Sequence, residues 1–201
     1  MNPLKQTYDE WAFSMKWMLT VTLLVIVQGC ASDPVPTTQV SEPSCVGSTM
    51  ISADLRDKFE LVQDPALLSQ ALGEALAGKL CQGAVYQSTQ EVIIYRVWNS
   101  TNPQSQFGQW WSFNRPSGQV SAYRKDYEIC YQWSPLDKLV ECTLKPGTKV
   151  VVGNGQSAKC SEYLSYPVSE KQQVYITEAS ESAMNCQSYD GVISWQQAIE
   201  Q

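Results

Sequence analysis

Val92-Ile93-Ile94-Tyr95-Arg96-Val97-Trp98 is a run of β-branched and aromatic residues bounded by polar positions, and it reads as a β-strand. With Val85-Tyr86 just before it, the run marks a change of pattern near Gly83. Upstream, Ile51, Leu55, Phe59 and Val62 recur at near-helical spacing behind Ser52, a good N-cap residue. Asp64-Pro65 supplies a second N-cap and a proline at the first helical position. Leu67, Leu68, Ala71, Leu72, Ala75, Leu76 and Leu80 then fall on one face. Downstream, 108–113, 127–133, 139–144, 149–152 and 173–177 are strand candidates. Pro116-Ser117-Gly118 and Lys145-Pro146-Gly147 are turn signals, and Val150–Gly155 reads as a strand ending in a glycine hairpin. Helices first and strands later, without regular alternation, predict an α+β fold: N-terminal amphipathic helices followed by a mostly antiparallel β domain.

The N-terminal segment has a different character. Lys16 precedes the apolar run Trp17–Val27, which is shorter than the roughly 20 residues of a bilayer-spanning helix and suits the core of an export signal. The following Val27-Gln28-Gly29-Cys30 resembles the lipobox of bacterial lipoproteins. That resemblance implies a signal peptide over 1–29, with Met15 as the natural start, and a lipid on Cys30 that holds the chain to a membrane of the bacterial cell envelope. The Pro-, Ser- and Thr-rich stretch up to Ser44 reads as a tether, so residues 30–44 separate the anchor from a folded domain over 45–201.

The chain contains seven cysteines and no histidine. One cysteine for the lipid leaves Cys45, Cys81, Cys130, Cys142, Cys160 and Cys186, which in an oxidising compartment predict a disulfide-braced domain. Their spacing leaves about 15 pairings open. A nearest-neighbour set would join Cys45 to Cys81, Cys130 to Cys142 and Cys160 to Cys186. No CxxC spacing suggests a metal, and no metal is expected. The missing imidazole excludes a Ser-His-Asp triad and a Cys-His dyad. A net charge of −6 argues against a nucleic-acid partner.

The residues with the most chemical character lie between Tyr95 and Arg124. Arg96, in mid-strand, needs a carboxylate, a carbonyl cluster or an anionic ligand. Trp110-Trp111 offer flat apolar surface beside the hydroxyl of Ser112. Tyr95-Arg96, the segment Gly108 to Ser112, Tyr123-Arg124 and the late strand around Gln173-Val174-Tyr175 follow the order of motifs in the ADP-ribosyltransferase fold, and the stretch from Tyr95 to Thr177 resembles compact toxin domains of that group. The resemblance implies a cleft between two small sheets that takes NAD. It would make Arg96 the dinucleotide anchor, Trp111 part of the nicotinamide wall and Ser112 the second-motif hydroxyl. Gln173 would occupy the family's glutamate position, with Glu170 or Glu178 as the carboxylate that could stand in for it. The alternative is a non-enzymatic envelope lipoprotein presenting an aromatic-rich face to a protein or glycan partner.

Overall fold

The computed structural model describes residues 44–191. The export segment, Cys30 and most of the tether lie outside the described residues. Ten strands appear in the order β1 (Phe59–Leu61), β2 (Leu80–Ser88), β3 (Val92–Trp98), β4 (Trp110–Trp111), β5 (Lys138–Leu144), β6 (Lys149–Gly155), β7 (Ala158–Lys159), β8 (Ser165–Tyr166), β9 (Gln172–Tyr175) and β10 (Ala183–Asp190). Three short helices accompany them: α1 (Pro65–Ala71), α2 (Val120–Asp126) and α3 (Ala179–Ser182). The strands form a five-stranded sheet in the order β1-β2-β6-β9-β4, a three-stranded sheet β10-β5-β3 and the small ribbon β7-β8. Every strand pairing is antiparallel. The protein is therefore mostly antiparallel sheet with few helices.

Period-two alternation builds the layers. On β6, Val150 and Val152 enter the core between the two large sheets, while Val151 faces the opposite side and packs under Leu67 and Ala71 of α1. On β3, Ile94 and Trp98 face the inter-sheet core, whereas Val97 joins Tyr123 of α2 and Leu139 on the outer side. The order of layers is thus α1, five-stranded sheet, three-stranded sheet, α2. Ile94, Val140, Leu144, Val150, Val152 and Val174 are almost fully buried in the central layer. Truncating one of the larger of them to Ala costs about 2–5 kcal/mol, because the cavity left behind adds to the lost transfer energy.

The two large sheets meet along one edge. Tyr95 N–H donates to Ser112 O at 2.8 Å and Ser112 N–H returns the bond to Tyr95 O at 2.9 Å, so β3 of one sheet is stitched to the chain leaving β4 of the other.

Several sequence expectations are corrected. Of the two N-terminal amphipathic helices, the first is a 3-10 turn at Arg56–Lys58 running into β1, since Phe59–Leu61 find open hydrogen-bonding partners along β2. The second is the single short helix α1. It starts as expected, with Asp64 accepting from Leu67 N–H at 3.0 Å and Pro65 inside the first turn, but it stops at Ala71 and Leu80 opens β2. Residues 127–133 do not form a strand; they are a turn stapled by Arg124, which donates to Ile129 O, Cys130 O and Ser134 O. β6 continues through its glycines to Gly155 rather than ending in a hairpin.

The disulfides are Cys45–Cys81, Cys130–Cys160 and Cys142–Cys186. The first agrees with the nearest-neighbour set and the other two replace it. Cys142 lies on β5, and its sheet neighbour β10 brings Cys186 beside it, out of reach of the turn that holds Cys130. Three disulfides mark a chain matured in an oxidising, exported setting. No helix among the described residues is long and apolar enough to cross a membrane. Non-reducing peptide mapping is expected to recover 45–81, 130–160 and 142–186 cross-linked peptides. The Cys142→Ala, Cys186→Ala double variant, which opens a loop with a sequence separation of 44, is expected to lose about 2–4 kcal/mol in denaturant unfolding.

Candidate functional site

Beside the edge where the sheets are stitched lies a cavity of ≈ 200 Å³. Its walls are aromatic: Tyr95, Trp110, Trp111, Tyr123, Tyr127 and Trp133. Its charged and amide groups are Arg96, Glu128, Gln173 and Lys79. Lys79 and Trp133 are exposed, and they mark the mouth.

Arg96 reaches the cavity because residues 94, 96 and 98 alternate onto the inter-sheet side of β3. Its Nε donates to Ser105 O and its Nη1 to Trp110 O, each at 2.7 Å. No carboxylate forms an ion pair with it among the described residues, where the pairs are Arg115–Glu141, Lys138–Asp190 and Lys149–Asp64. Burial pushes its pKa down to about 10, so it still carries its charge at neutral pH. Gly108 makes this placement feasible, because a Cβ there would collide with the guanidinium. Nη2 donates no hydrogen bond among the described residues.

Glu128 sits on another wall. It follows α2 in a left-handed conformation, φ 48°, and is only 2% exposed. Its Oε2 accepts from Gln173 Nε2 at 2.7 Å, while its Oε1 is buried without a partner among the described residues. Desolvation raises its pKa to about 9, with the Gln173 hydrogen bond opposing and the Asp126 charge adding to the rise. The carboxyl is therefore neutral at pH 7. Gly155 faces it on β6, and a Cβ there would overlap both Oε2 of Glu128 and the Gln173 amide. Two glycines from different elements thus clear space for the two polar heads of the cavity.

The aromatic walls are held from outside. Trp111 Nε1 donates to Gly108 O at 2.7 Å, Trp110 packs tilted against Tyr175 with centroids 5.0 Å apart, and the Tyr123 ring centroid lies 4.5 Å from that of Tyr127. Burial keeps the Tyr123 and Tyr127 hydroxyls protonated well above their usual range.

The residues singled out from sequence fall as follows. Arg96, Trp111 and Gln173 line the same cavity although they come from β3, β4 and β9. Ser112 is buried beside it; its Oγ donates to Asn114 O at 2.7 Å and it neighbours the Tyr127 hydroxyl. Glu170 is elsewhere: it is exposed, borders a separate depression with Lys125 and Asp126, and offers its backbone carbonyl to Asn154. The acid in the cavity is Glu128, which the sequence reading passed over. The available signal was a single acid within the otherwise apolar and aromatic run Tyr127-Glu128-Ile129-Cys130-Tyr131. No three of the His, Cys, Asp or Glu side chains cluster as metal ligands among the described residues.

No protein-family model, curated protein or solved structure matches this chain. What the cavity can do chemically follows from its own groups: a fixed cation, a neutral buried acid and flat rings between them.

The acid also has a consequence for stability. In the unfolded chain Glu128 ionises near the ordinary glutamate value of 4.5, and in the folded chain near 9, so between these values the folded state binds the extra proton. Stability contributed by this group is full below pH 4.5 and is lost as pH rises towards 9. Glu128→Gln keeps the shape and removes the titration. Denaturant unfolding from pH 5 to pH 8 is expected to show a downward slope in the wild type that is flattened in the variant, with the variant the more stable of the two at pH 8.

Proposed function

We propose that the protein is an exported envelope lipoprotein, anchored through Cys30, whose disulfide-braced domain binds NAD in the Arg96–Glu128 cavity and acts on its nicotinamide–ribose bond in the manner of an ADP-ribosyltransferase. The observation that carries this reading is the convergence of Arg96, Trp111 and Gln173, far apart in sequence, on one aromatic-walled cavity. The groups present suit such a ligand. The unpaired Nη2 of Arg96 can take a phosphate oxygen, Trp110 and Trp111 offer faces for a flat ring, and the orphan Oε1 of Glu128 with the amide of Gln173 can meet a ring or ribose. The volume of ≈ 200 Å³ is below the roughly 300–1,000 Å³ of a whole-ligand pocket, so it suits the nicotinamide end, with the remainder running out past Lys79.

Bound NAD would supply a cationic ring on a scissile glycosidic bond. The chain's own share of the work is to hold and to exclude. Arg96, fixed by two carbonyls, cannot swing towards solvent and therefore presents Nη2 in one direction. The aromatic walls keep water from the ring. Glu128 supplies the carboxyl that the late strand lacks, since Gln173 there is uncharged and instead positions Glu128 through its amide.

Two measurements test this. The full chain is expected to gain thermal stability with NAD, by about 2.7 kcal/mol at a hundredfold excess over Kd. Arg96→Ala should remove the gain, and Arg96→Lys, which keeps the charge without the fork, should weaken it. No gain at millimolar NAD would refute the NAD reading. Separately, Cys30→Ser is expected to release the chain from membranes in fractionation, and retention of that variant would refute the lipid anchor.

A further inference from the structure

We propose that the cavity selects a planar organic cation and that Glu128 becomes its counter-ion. The geometry points there through three features. Glu128 lines the cavity, and its Oε1 is a buried oxygen with no hydrogen-bond partner among the described residues. The opposite oxygen is already engaged by Gln173, so the carboxyl is held in one orientation with Oε1, the oxygen left to carry the proton, unused. The surrounding walls are aromatic faces, whose negative π-surfaces attract cations in a desolvated setting. Gly155, leaving no Cβ behind the carboxyl, is what lets it sit so deep.

The other charged and titratable groups facing the cavity are the Arg96 and Lys79 cations and the hydroxyls of Tyr95, Tyr123 and Tyr127, with Asp126 near Glu128 on the chain. Arg96 and Lys79 would repel a bare cation, so the preferred ligand is dipolar: an anionic part towards Arg96 and a cationic ring towards Glu128. Glu128 is neutral before the ligand arrives because burial disfavours its charge. A cation beside Oε1 reverses that preference, and the carboxyl proton leaves to solvent. One O–H bond breaks, one proton enters the buffer, and the carboxylate stays behind; no other reactant takes part.

The identity of the ring rests on the NAD reading, and the sharper claim is that the oxidised, cationic ring is bound and the reduced, neutral one is not. Calorimetric titration of the full chain in buffers of different ionisation enthalpy is expected to show about one proton released per NAD bound at pH 7, and affinity rising about tenfold per pH unit from pH 7 towards pH 9. NADH should bind at least about tenfold more weakly without proton release, since a one-unit pKa change corresponds to that factor. In Glu128→Gln the proton release and the preference for NAD should both vanish. The wild-type comparison of NAD with NADH needs no variant, so misfolding of Glu128→Gln would not blunt it. Binding of both dinucleotides with equal affinity and no proton release would overturn this inference and leave the NAD reading standing. If neither dinucleotide binds, the NAD reading falls, and nicotinamide mononucleotide, a cationic ring carrying an anionic phosphate, against its reduced, neutral-ring form decides the inference: stabilisation by the oxidised form alone, lost in Glu128→Gln, supports it, and equal or absent responses overturn it.

Discussion

A guanidinium that pairs with no carboxylate among the described residues is the feature on which the rest depends. Arg96 spends two of its three nitrogens on the carbonyls of Ser105 and Trp110, and Trp110 belongs to the other sheet. Together with the reciprocal Tyr95–Ser112 pair, these bonds fix where the two sheets join. A lysine could not do this, because a point ammonium cannot divide fixed directions among two carbonyls and still face a cavity. The cost of desolvating the charge is met by strong charge-assisted bonds to the backbone, and Nη2, packed beside Gly108, is the nitrogen left over.

The second constraint is the turn that follows α2. Arg124 gathers the carbonyls of Ile129, Cys130 and Ser134, and the Cys130–Cys160 disulfide fastens the same turn to the chain beyond β6. Glu128 is thereby forced inward in a left-handed conformation that few non-glycine residues adopt. A strained backbone carrying a buried acid with an unpaired oxygen opposes local stability in two ways at once. Such a combination is common where function, rather than packing, sets the arrangement.

Much of the sheet was legible from residue type. β3, β5, β6 and β9 each carry Val, Ile, Leu or Tyr at positions that match the layers they separate. What escaped was decided by tertiary partners. Phe59–Leu61 carry a helical spacing, but an open edge on β2 outweighs it. Residues 127–133 have strand composition, yet a disulfide and an arginine curl them into a turn. β10 has only Ala183 buried among its eight residues, so no apolar pattern announces it, and it pairs with β5 through backbone bonds and the Cys142–Cys186 link. At the site, Arg96 stood out because a charge in an apolar strand demands a partner. Glu128 did not, since its importance arises from Gly155 and Gln173 approaching from distant strands.

A neutral acid and a charged arginine line one aromatic-walled cavity. Carbon-detected NMR of the Glu128 side-chain carboxyl through a pH titration reads that acid directly. The predicted result is a midpoint raised to about 9 in the free protein, moving down when NAD is present. A midpoint in the ordinary carboxylate range, indifferent to NAD, would contradict the account.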